Sequence, residues 1–383
     1  MVSRYRDLTN ENINILIKEF IIPYSHLKQF KEHLNDESKA RIASYEEKLD
    51  TILWYSEDLQ CSDVDDIISE RLQNGEQITL PYGKLMERLL LLRTLLNNEN
   101  ETTTFENYEH GRERGGRRQI TRNVHDQHST QLSKRKLYSD LLLIAEVQLE
   151  KIKLPLESPV AVMGDASDSM EVAIRTATIL SSLLTAVCSA KLNFFNTEMF
   201  LPTFTPKTIE DVLTLALTTR ADGGTANAAG LVSYYNNKEV IKTFVMVTDD
   251  EENTDAQIVD GTSTRFFELF MKYRAEIYPA KLVFISFLPD QHAQGQMSSE
   301  FQNANIPDVI QFIFSRYRPD LTKIDNLLGL LSTGSSESFD DQVGKLQNEF
   351  QQKDIESVIT NLLNKQKEYS LPIEAEMTVT TSN

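Results

Sequence analysis

Three short clusters of oxygen-bearing side chains stand out in the sequence. The first, "GDASDSM", carries Asp165, Ser167 and Ser169 directly after the apolar run "VAVM". The second carries Thr225 in "DGGTANAAG", and the third carries Asp249 after "IKTFVMVT". Carboxylate and hydroxyl oxygens without histidine or cysteine are the ligands that hard divalent cations prefer in proteins. Together the clusters predict a magnesium or manganese site.

The elements that must position these clusters are short strands and helices in alternation. From residue 156 onward, apolar runs such as "VAVM", "IKTFVMVT" and "KLVFISFL" alternate with segments of helical periodicity, which predicts a mainly parallel sheet covered by helices on both faces. In an open parallel sheet, ligands bind outside the carboxyl ends of the strands, where loops enter helices. Because the clusters fall at such junctions, we expect their three loops to converge at one edge of the sheet.

The order of these residues resembles a known metal site. Asp-x-Ser-x-Ser, then Gly-Gly-Thr, then Thr-Asp after an apolar strand is similar to the metal-ion-dependent adhesion site (MIDAS) of von Willebrand factor A (VWA) domains. All five positions of that pattern are filled, by Asp165, Ser167, Ser169, Thr225 and Asp249. The resemblance covers roughly residues 156 to 332 and is closest to intracellular A domains of the Ro ribonucleoprotein (TROVE) type. It implies a doubly wound, Rossmann-like α/β fold.

The resemblance also implies how each residue would act. Ser167 and Ser169 would bind Mg²⁺ or Mn²⁺ directly through their hydroxyls, and Thr225 would do so when a ligand is present. Asp165 and Asp249 would act mainly through water. Such a site leaves the cation incompletely neutralised, so that a carboxylate of a protein partner can supply a coordination position.

The chain departs from the family pattern by carrying extra acids around the site. Asp168 stands between the two serines, Asp222 flanks the threonine loop, and Asp250 follows the second aspartate, with Glu251 and Glu252 behind it. So much negative charge at the rim would tighten cation binding and repel an acidic partner. Two interpretations stay open. Asp168, Asp222 and Asp250 form a rim that selects a basic or mixed-charge partner, or they are solvated loop acids with Asp168 capping a helix.

Residues 1–155 predict an α-helical region in front of the sheet domain at 156–333, because apolar side chains recur there at helical spacing. Within that region, the polar and glycine-containing stretch at about 100–131 predicts a flexible loop. Beyond the sheet, residues 334–383 predict a linker, an amphipathic helix and a disordered tail.

The predicted loop is basic in an acidic chain. Between Glu109 and Lys136 the sequence has eight basic residues against three acidic ones, whereas the whole chain has a formal net charge of -18. That overall charge opposes nonspecific attraction to nucleic acid or anionic lipid, so any contact with RNA has to be local. The arginines that could bind RNA phosphates are Arg112, Arg114, Arg117, Arg118 and Arg122.

Composition limits the setting in which the protein acts. Cys61 and Cys188 lie far apart and outside any Cys-x-x-Cys pattern, which argues against a disulfide framework or a zinc site and favours a reducing compartment. The amino-terminal residues lack the apolar core and cleavage site of a signal peptide, and no run reaches about 18 apolar residues. We therefore expect a soluble protein of the cytoplasm, with the nucleus as the alternative, and no membrane contact.

These features favour a protein without catalytic activity. The stretch "MGDASDSM" lacks the lysine of a phosphate-binding loop and the second glycine of a nucleophile elbow. We expect an intracellular module that binds a protein partner through a metal-loaded MIDAS. The alternative is a TROVE-like ribonucleoprotein component that binds small RNA through the basic loop or the helical region. A minor alternative is a metal-dependent hydrolase with Asp168 or Asp250 as general base.

Overall fold

The computed structural model describes residues 8–109, 120–290, 292–306, 308–332, 347–348 and 350. The chain divides into two compact units, Met1–Gly334 and Ser335–Asn383. The fold and the candidate site belong to the first unit. The amphipathic helix predicted within 334–383 lies almost entirely outside the described residues.

The described part of the chain before the sheet is helical, as predicted. Asn35 starts one of these helices by accepting a hydrogen bond from the Ser38 amide, with Asp36 and Glu37 in the first turn, where acidic side chains favour a helix amino terminus. The helices of this region are α1 (Ile13–Glu19), α2 (Asp36–Tyr45), α3 (Leu49–Trp54), α4 (Ser62–Gln73), α5 (Tyr82–Glu109) and α6 (Ile120–Lys151).

The prediction of a loop at about 100–131 is wrong at both ends of that stretch. Helix α5 continues to Glu109 and helix α6 begins at Ile120, so most of the stretch expected to be irregular is helical. Once buried leucine turns have nucleated a helix, adding polar residues costs little, and a polar stretch can remain helical. Residues 110–119, which include four of the five candidate RNA-binding arginines, lie outside the described residues, and Arg122 lies in α6.

The helical region shares one hydrophobic core with the sheet domain. Leu89 of α5 and Leu141 of α6 are completely buried and belong to the same cluster as Val245 of the sheet. The carboxylate of Asp325 accepts hydrogen bonds from the Tyr82 and Gly83 amides, both at 2.9 Å, and thereby joins the start of α5 to the carboxyl-terminal part of the domain. The helices before the sheet are therefore integral to this unit.

The sheet has six strands in the order β3-β2-β1-β4-β7-β8, and all neighbours are parallel except β2 and β3. A separate two-stranded ribbon pairs β5 with β6. The strands are β1 (Val160–Asp165), β2 (Lys191–Phe195), β3 (Met199–Phe200), β4 (Thr243–Thr248), β5 (Ala256–Gln257), β6 (Ser263–Thr264), β7 (Lys281–Leu288) and β8 (Val309–Ser315).

Helices cover both faces of this sheet. Along β4, Val245 and Val247 enter one core, whereas Phe244 and Met246 enter a second core on the opposite face. Such burial on both faces explains the continuous apolar runs in the sequence. The covering helices are α7 (Ile174–Cys188), α8 (Ile209–Thr218), α9 (Ala229–Asn236), α10 (Phe266–Glu276), α11 (Gln296–Asn303) and α12 (Ile324–Ser332).

The predicted fold class is confirmed: a doubly wound, mainly parallel α/β sheet follows an α-helical region. The strand order reverses between β1 and β4, since the chain runs from β1 toward β3 on one side and from β4 toward β8 on the other. This reversal is the switch point at which ligands bind in such sheets. In the part of the chain that the structure describes, no helix combines the length and apolarity needed to cross a bilayer.

Candidate metal site

Three loops meet at the switch point: the first loop (166–170) after β1, the second loop (219–228) before α9, and the third loop (249–255) after β4. The first two loops exchange backbone hydrogen bonds. The Asp168 amide donates to the Gly223 carbonyl at 2.9 Å, and the Asp222 amide donates to the Ala166 carbonyl at 2.8 Å. This reciprocal pair fixes the first loop against the second.

The second loop is held in the same way by the third. The amides of Asn253 and Thr254 both donate to the Thr225 carbonyl, at 3.1 and 3.0 Å. The Asn253 side-chain oxygen accepts from the Thr225 amide at 3.0 Å, and the buried Asn227 side chain donates to the Glu251 carbonyl at 2.7 Å. The three polar clusters of the sequence therefore form one hydrogen-bonded surface at the edge of the sheet.

Asp165 lies at the centre of this surface and is 1% exposed. Its Oδ1 accepts from the Ser167 amide at 2.9 Å and from the Ser167 hydroxyl at 2.6 Å. Its Oδ2 accepts from the Thr248 hydroxyl at 2.7 Å. Burial, together with the charge of nearby Asp249, raises the pKa of Asp165 to about 7 despite these hydrogen bonds. The neutral donors around Asp165 thus compensate its negative charge only in part.

The two serines present their hydroxyls side by side. Ser167 Oγ and Ser169 Oγ are 3.1 Å apart. Two neighbouring ligands of an octahedral Mg²⁺, each about 2.1 Å from the ion, are separated by about 3 Å. Ser167 is buried whereas Ser169 is exposed, so the pair joins the interior of the site to solvent.

Thr225 and Asp249 complete the predicted set, and both are buried, at 2% and 1% exposed. The Oδ1 of Asp249 accepts from the Glu251 amide at 3.3 Å. Its Oδ2 accepts from Nη1 of Arg316 at 2.9 Å. Arg316 is not among the residues predicted from the sequence, although its position gives one signal. It directly follows a strand, and residues that follow parallel strands lie at the same edge of the sheet.

The candidate rim acids differ in their exposure to solvent. Asp168 and Asp222 are exposed, in agreement with positions at the rim. Asp168 is the first residue of a short 3-10 turn, Asp168–Met170, and Ser167 is the residue that precedes the turn, so Asp168 is not its cap. Asp250 and Glu252, in contrast, are buried at 0% and 5% exposed. The rim therefore carries less negative charge than the sequence suggests.

The Asp250 side chain is directed into the protein, where it caps the amino terminus of helix α11. Its Oδ1 accepts from the Ser298 amide at 2.9 Å, and its Oδ2 accepts from the Ser286 hydroxyl and the Gln311 side-chain amide, both at 3.1 Å. Its φ of 64° turns the chain after β4, and a Cβ added at Gly295 would come within 1.8 Å of the Asp250 carboxylate. Burial raises the pKa of Asp250. The prediction of a rim position for Asp250 is wrong, because this left-handed turn directs the side chain under the loop.

Glu252 connects two helices behind the site. One carboxylate oxygen accepts from the Ala228 amide at 2.9 Å, just before α9, and the other accepts from the Phe266 amide at 2.8 Å, where α10 begins. A carboxylate is favourable at both places because each helix amino terminus carries partial positive charge. Glu252 therefore stabilises the position of the second loop through α9.

The donor set fits a hard cation. Within the described ranges, no group of three or more histidine, cysteine, aspartate or glutamate side chains is placed to hold a metal ion. The candidate set is of another kind, with two buried carboxylates and three hydroxyls. The spacing of the two serine hydroxyls agrees with neighbouring ligands of one cation. The raised pKa of Asp165 agrees with two carboxylates whose charge is compensated only in part, by Arg316 at Asp249.

Fold and site together define a doubly wound α/β domain with a candidate cation site at its switch point. Comparisons with protein-family models and with curated proteins give no match. Among solved structures, the chain is similar to the crystal structure of the Deinococcus radiodurans Ro (RSR) protein, with 12% sequence identity and a TM-score of 0.38. The similarity covers 85% of this chain and 62% of that protein, so the chain spans less than two thirds of its length. This similarity is too low to assign a family or a site residue.

Proposed function

We propose that the protein is a noncatalytic interaction module that binds a protein partner through Mg²⁺ or Mn²⁺ held at the switch point. The observation that carries the proposal is the pairing of two buried carboxylates, Asp165 and Asp249, with serine hydroxyls 3.1 Å apart. Arg316 supplies one positive charge to this pair of carboxylates, and a cation between them would compensate the remaining charge, because burying a charge without compensation is costly.

Five residues would hold the ion. By their resemblance to a MIDAS, the hydroxyls of Ser167 and Ser169 would bind it directly, that of Thr225 would bind it in the liganded state, and the two aspartates would act through water. When bound, the ion offers a coordination position to a carboxylate of the partner. Because Asp250 and Glu252 are buried within the protein, they do not oppose an acidic partner at the rim as strongly as the sequence suggests.

The contacts of Asp250 argue against one of the two general bases that a hydrolase would use here. Of the two acids considered as general bases, Asp250 has both carboxylate oxygens engaged by Ser298, Ser286 and Gln311. A base held in this way is unavailable to abstract a proton from water at the ion, since it lies under the loop. Asp168 is exposed at the rim, and its hydrogen-bonded backbone positions the loop.

The RNA-binding alternative stays a prediction. Arg112, Arg114, Arg117 and Arg118 lie outside the described residues, and the side chain of Arg122 is not among the described ones. In the remainder of the described chain, no observation favours RNA over a protein partner. The basic segment between Glu109 and Lys136 is the feature of the sequence that supports this alternative, and the experiment below also tests it.

The test compares the full chain with and without metal. Millimolar Mg²⁺ or Mn²⁺ is expected to raise the melting temperature of the wild type relative to chelator, and Ser167→Ala is expected to abolish the increase. Ser182→Ala is the matched control, because Ser182 is also a fully buried serine but lies in α7 away from the site. Equal melting temperatures of the wild type in metal and in chelator would contradict the proposal.

The wild type and Ser167→Ala also test whether a partner protein binds through the metal. A column that carries the wild type should retain a specific protein from lysate in Mg²⁺ and release it in chelator, whereas Ser167→Ala should retain none. RNA extracted from the column that persists in chelator would instead favour the ribonucleoprotein alternative.

A further inference from the structure

Arg316 lies at the site, although the MIDAS pattern assigns it no role. We infer that Arg316 is an internal competitor for the cation: its guanidinium neutralises Asp249 in the metal-free protein and lowers the affinity of the site for Mg²⁺. The inference rests on the proposed function, since it concerns the same metal. It identifies Arg316 as the residue that sets the metal concentration at which the site fills.

The contact between the two side chains is close and sheltered. Arg316 Nη1 lies 2.9 Å from Asp249 Oδ2, and the side chains are 16% and 0% exposed. A charge-assisted hydrogen bond of this kind is stronger than one between neutral groups and is little screened by solvent. The guanidinium therefore competes for a carboxylate that the cation site needs.

The backbone holds Arg316 in this position. The residue directly follows β8, and its amide donates to the Leu288 carbonyl at the end of β7 at 2.7 Å. The guanidinium is thus attached to the same sheet edge as the three loops. Its charge is permanent, because arginine stays protonated across the physiological pH range. Deprotonation of the arginine therefore does not release Asp249, but a second cation at the carboxylate can displace it.

A second carboxylate lies within reach of the guanidinium. Nη1 is 3.9 Å from the Glu251 carboxylate, whose side chain is 59% exposed. When a metal takes over Asp249, Glu251 can retain Arg316 at the rim, where water also solvates it. The exchange therefore leaves no buried unpaired charge, which is the usual obstacle to breaking a sheltered ion pair.

Two cations that share one carboxylate weaken each other. By thermodynamic linkage, the factor by which Arg316 lowers metal affinity equals the factor by which metal loosens Arg316. Without Arg316, the metal-free protein would hold Asp165 and Asp249 close together with neutral donors alone. Arg316 thus stabilises the metal-free state at the expense of the loaded one.

The experiment measures Mg²⁺ binding to the full chain by titration calorimetry. Arg316→Gln should bind Mg²⁺ about tenfold more tightly than the wild type, a factor within the usual range of coupling between two ligands. Arg318→Gln is the matched control, since Arg318 is an exposed arginine two residues away, and its affinity should equal that of the wild type. Arg316→Lys keeps the charge and should stay within about threefold of the wild type. A gain for Arg316→Lys as large as that for Arg316→Gln would overturn the competition.

The difference in melting temperature between Arg316→Gln and the wild type should depend on metal, whereas a purely structural role of Arg316 would give the same difference with and without Mg²⁺. In chelator, Arg316→Gln should melt below the wild type, and saturating Mg²⁺ should close or reverse that gap. An equal deficit in both conditions would overturn the inference.

The outcomes separate the two proposals. Metal binding of equal strength by the wild type and Arg316→Gln overturns the competitor and leaves the proposed function standing. Binding by Arg316→Gln alone supports the competitor and contradicts the proposed function in the native chain. Absence of binding in both contradicts both.

Discussion

Among the residues that the structure describes, two aspartate–arginine pairs have a fully buried carboxylate, one in the helical region and one at the sheet edge. Asp65 of α4 and Arg88 of α5 are 3.4 Å apart, with side chains 0% and 2% exposed. Asp249 and Arg316 are 2.9 Å apart, and the arginine side chain is 16% exposed. Each pair buries a carboxylate completely, and the second lies at the loop surface that carries the Ser167 and Ser169 hydroxyls.

This difference separates a structural ion pair from an exchangeable one. Around Arg88, the Nε and Nη1 atoms are buried without a hydrogen-bond partner, and burial lowers the pKa of the guanidinium. No other cation can reach Asp65 without opening the helices. At the sheet edge, the serine hydroxyls and the exposed Glu251 provide alternative partners for both charges. A buried charge therefore becomes a binding site only where alternative ligands and access coincide.

The largest expected loss of stability comes from breaking the Asp65–Arg88 pair in the helical region. Asp65→Ala leaves the Arg88 charge buried and uncompensated, and should lower the free energy of unfolding by about 3–5 kcal/mol. Urea denaturation in Mg²⁺ and in chelator should show the same loss, because this pair does not communicate with metal. The control is Glu37→Ala, which breaks the exposed contact with Lys18 and should cost less than about 1 kcal/mol. A loss for Asp65→Ala as small as that of the control would remove the distinction drawn between the pairs.

The next largest effect on stability is expected at Asp250, which is the sequence neighbour of Asp249. Asp250→Ala removes the acceptor for three donors and should cost about 2–3 kcal/mol, because hydrogen bonds to a buried charged group contribute about that much. Asp250→Asn is the milder variant, since asparagine tolerates the left-handed backbone at this position. Asp222→Ala, at an exposed rim position, should change stability by less than about 0.5 kcal/mol.

Metal binding distinguishes these neighbours further. Asp250→Asn should retain Mg²⁺ affinity within about threefold, whereas Asp249→Asn should lose binding. If Asp250→Asn abolished metal binding without destabilising the protein, Asp250 would be a ligand rather than the anchor of α11.

The contrast between these neighbours also shows what the sequence can predict. The apolar run before Asp249 indicates a buried strand, and β4 ends one residue before it, at Thr248. The convergence of the three loops follows from the rule for switch points, which depends on strand order alone. The position of Asp250 depends on one left-handed residue and on a glycine 45 positions away, and periodicity does not report either.

Two further features could not be predicted for the same reason. The contact between Arg316 and Asp249 joins residues 67 positions apart, so it depends on the packing of β8 beside β7. Helices α5 and α6 extend into the polar stretch that was expected to form a loop, since the extent of a helix depends on its nucleated neighbours as well as on local composition. The sequence therefore predicts the elements and the direction of their ends better than the side-chain contacts between distant elements.

A smaller effect tests whether metal acts on the sheet edge alone. Mg²⁺ at ten times its dissociation constant should raise the free energy of unfolding of the wild type by about 1.4 kcal/mol, because a ligand that binds only the folded state stabilises it by mass action. Glu37→Ala in the helical region should retain the whole gain, and Asp249→Asn should show none. A gain in Asp249→Asn equal to that of the wild type would place the metal elsewhere.

The smallest expected effect is a pH dependence behind the site. Burial raises the pKa of Glu252 above its usual value near 4.5, so the folded state holds this proton more strongly than the unfolded state. The resulting stabilisation is complete below the unfolded pKa and is lost as the pH rises through the folded pKa. Glu252→Gln cannot titrate at this position, so its stability between pH 4 and 7 in chelator should fall less steeply than that of the wild type. The remaining slope comes from other carboxyl groups with raised pKa values, such as Asp165 and Asp250.

Glu251→Gln is the matched control for that measurement, because it removes a neighbouring carboxylate that is 59% exposed instead of one enclosed between two helices. Its slope should follow the wild type. An unchanged slope in Glu252→Gln would mean that the helix amino termini of α9 and α10 offset the cost of burying the Glu252 charge. In that case Glu252 would be compensated by the two helices, and the uncompensated charge near the site would lie on the other buried acids, including Asp165, beside the pair of Asp249 and Arg316.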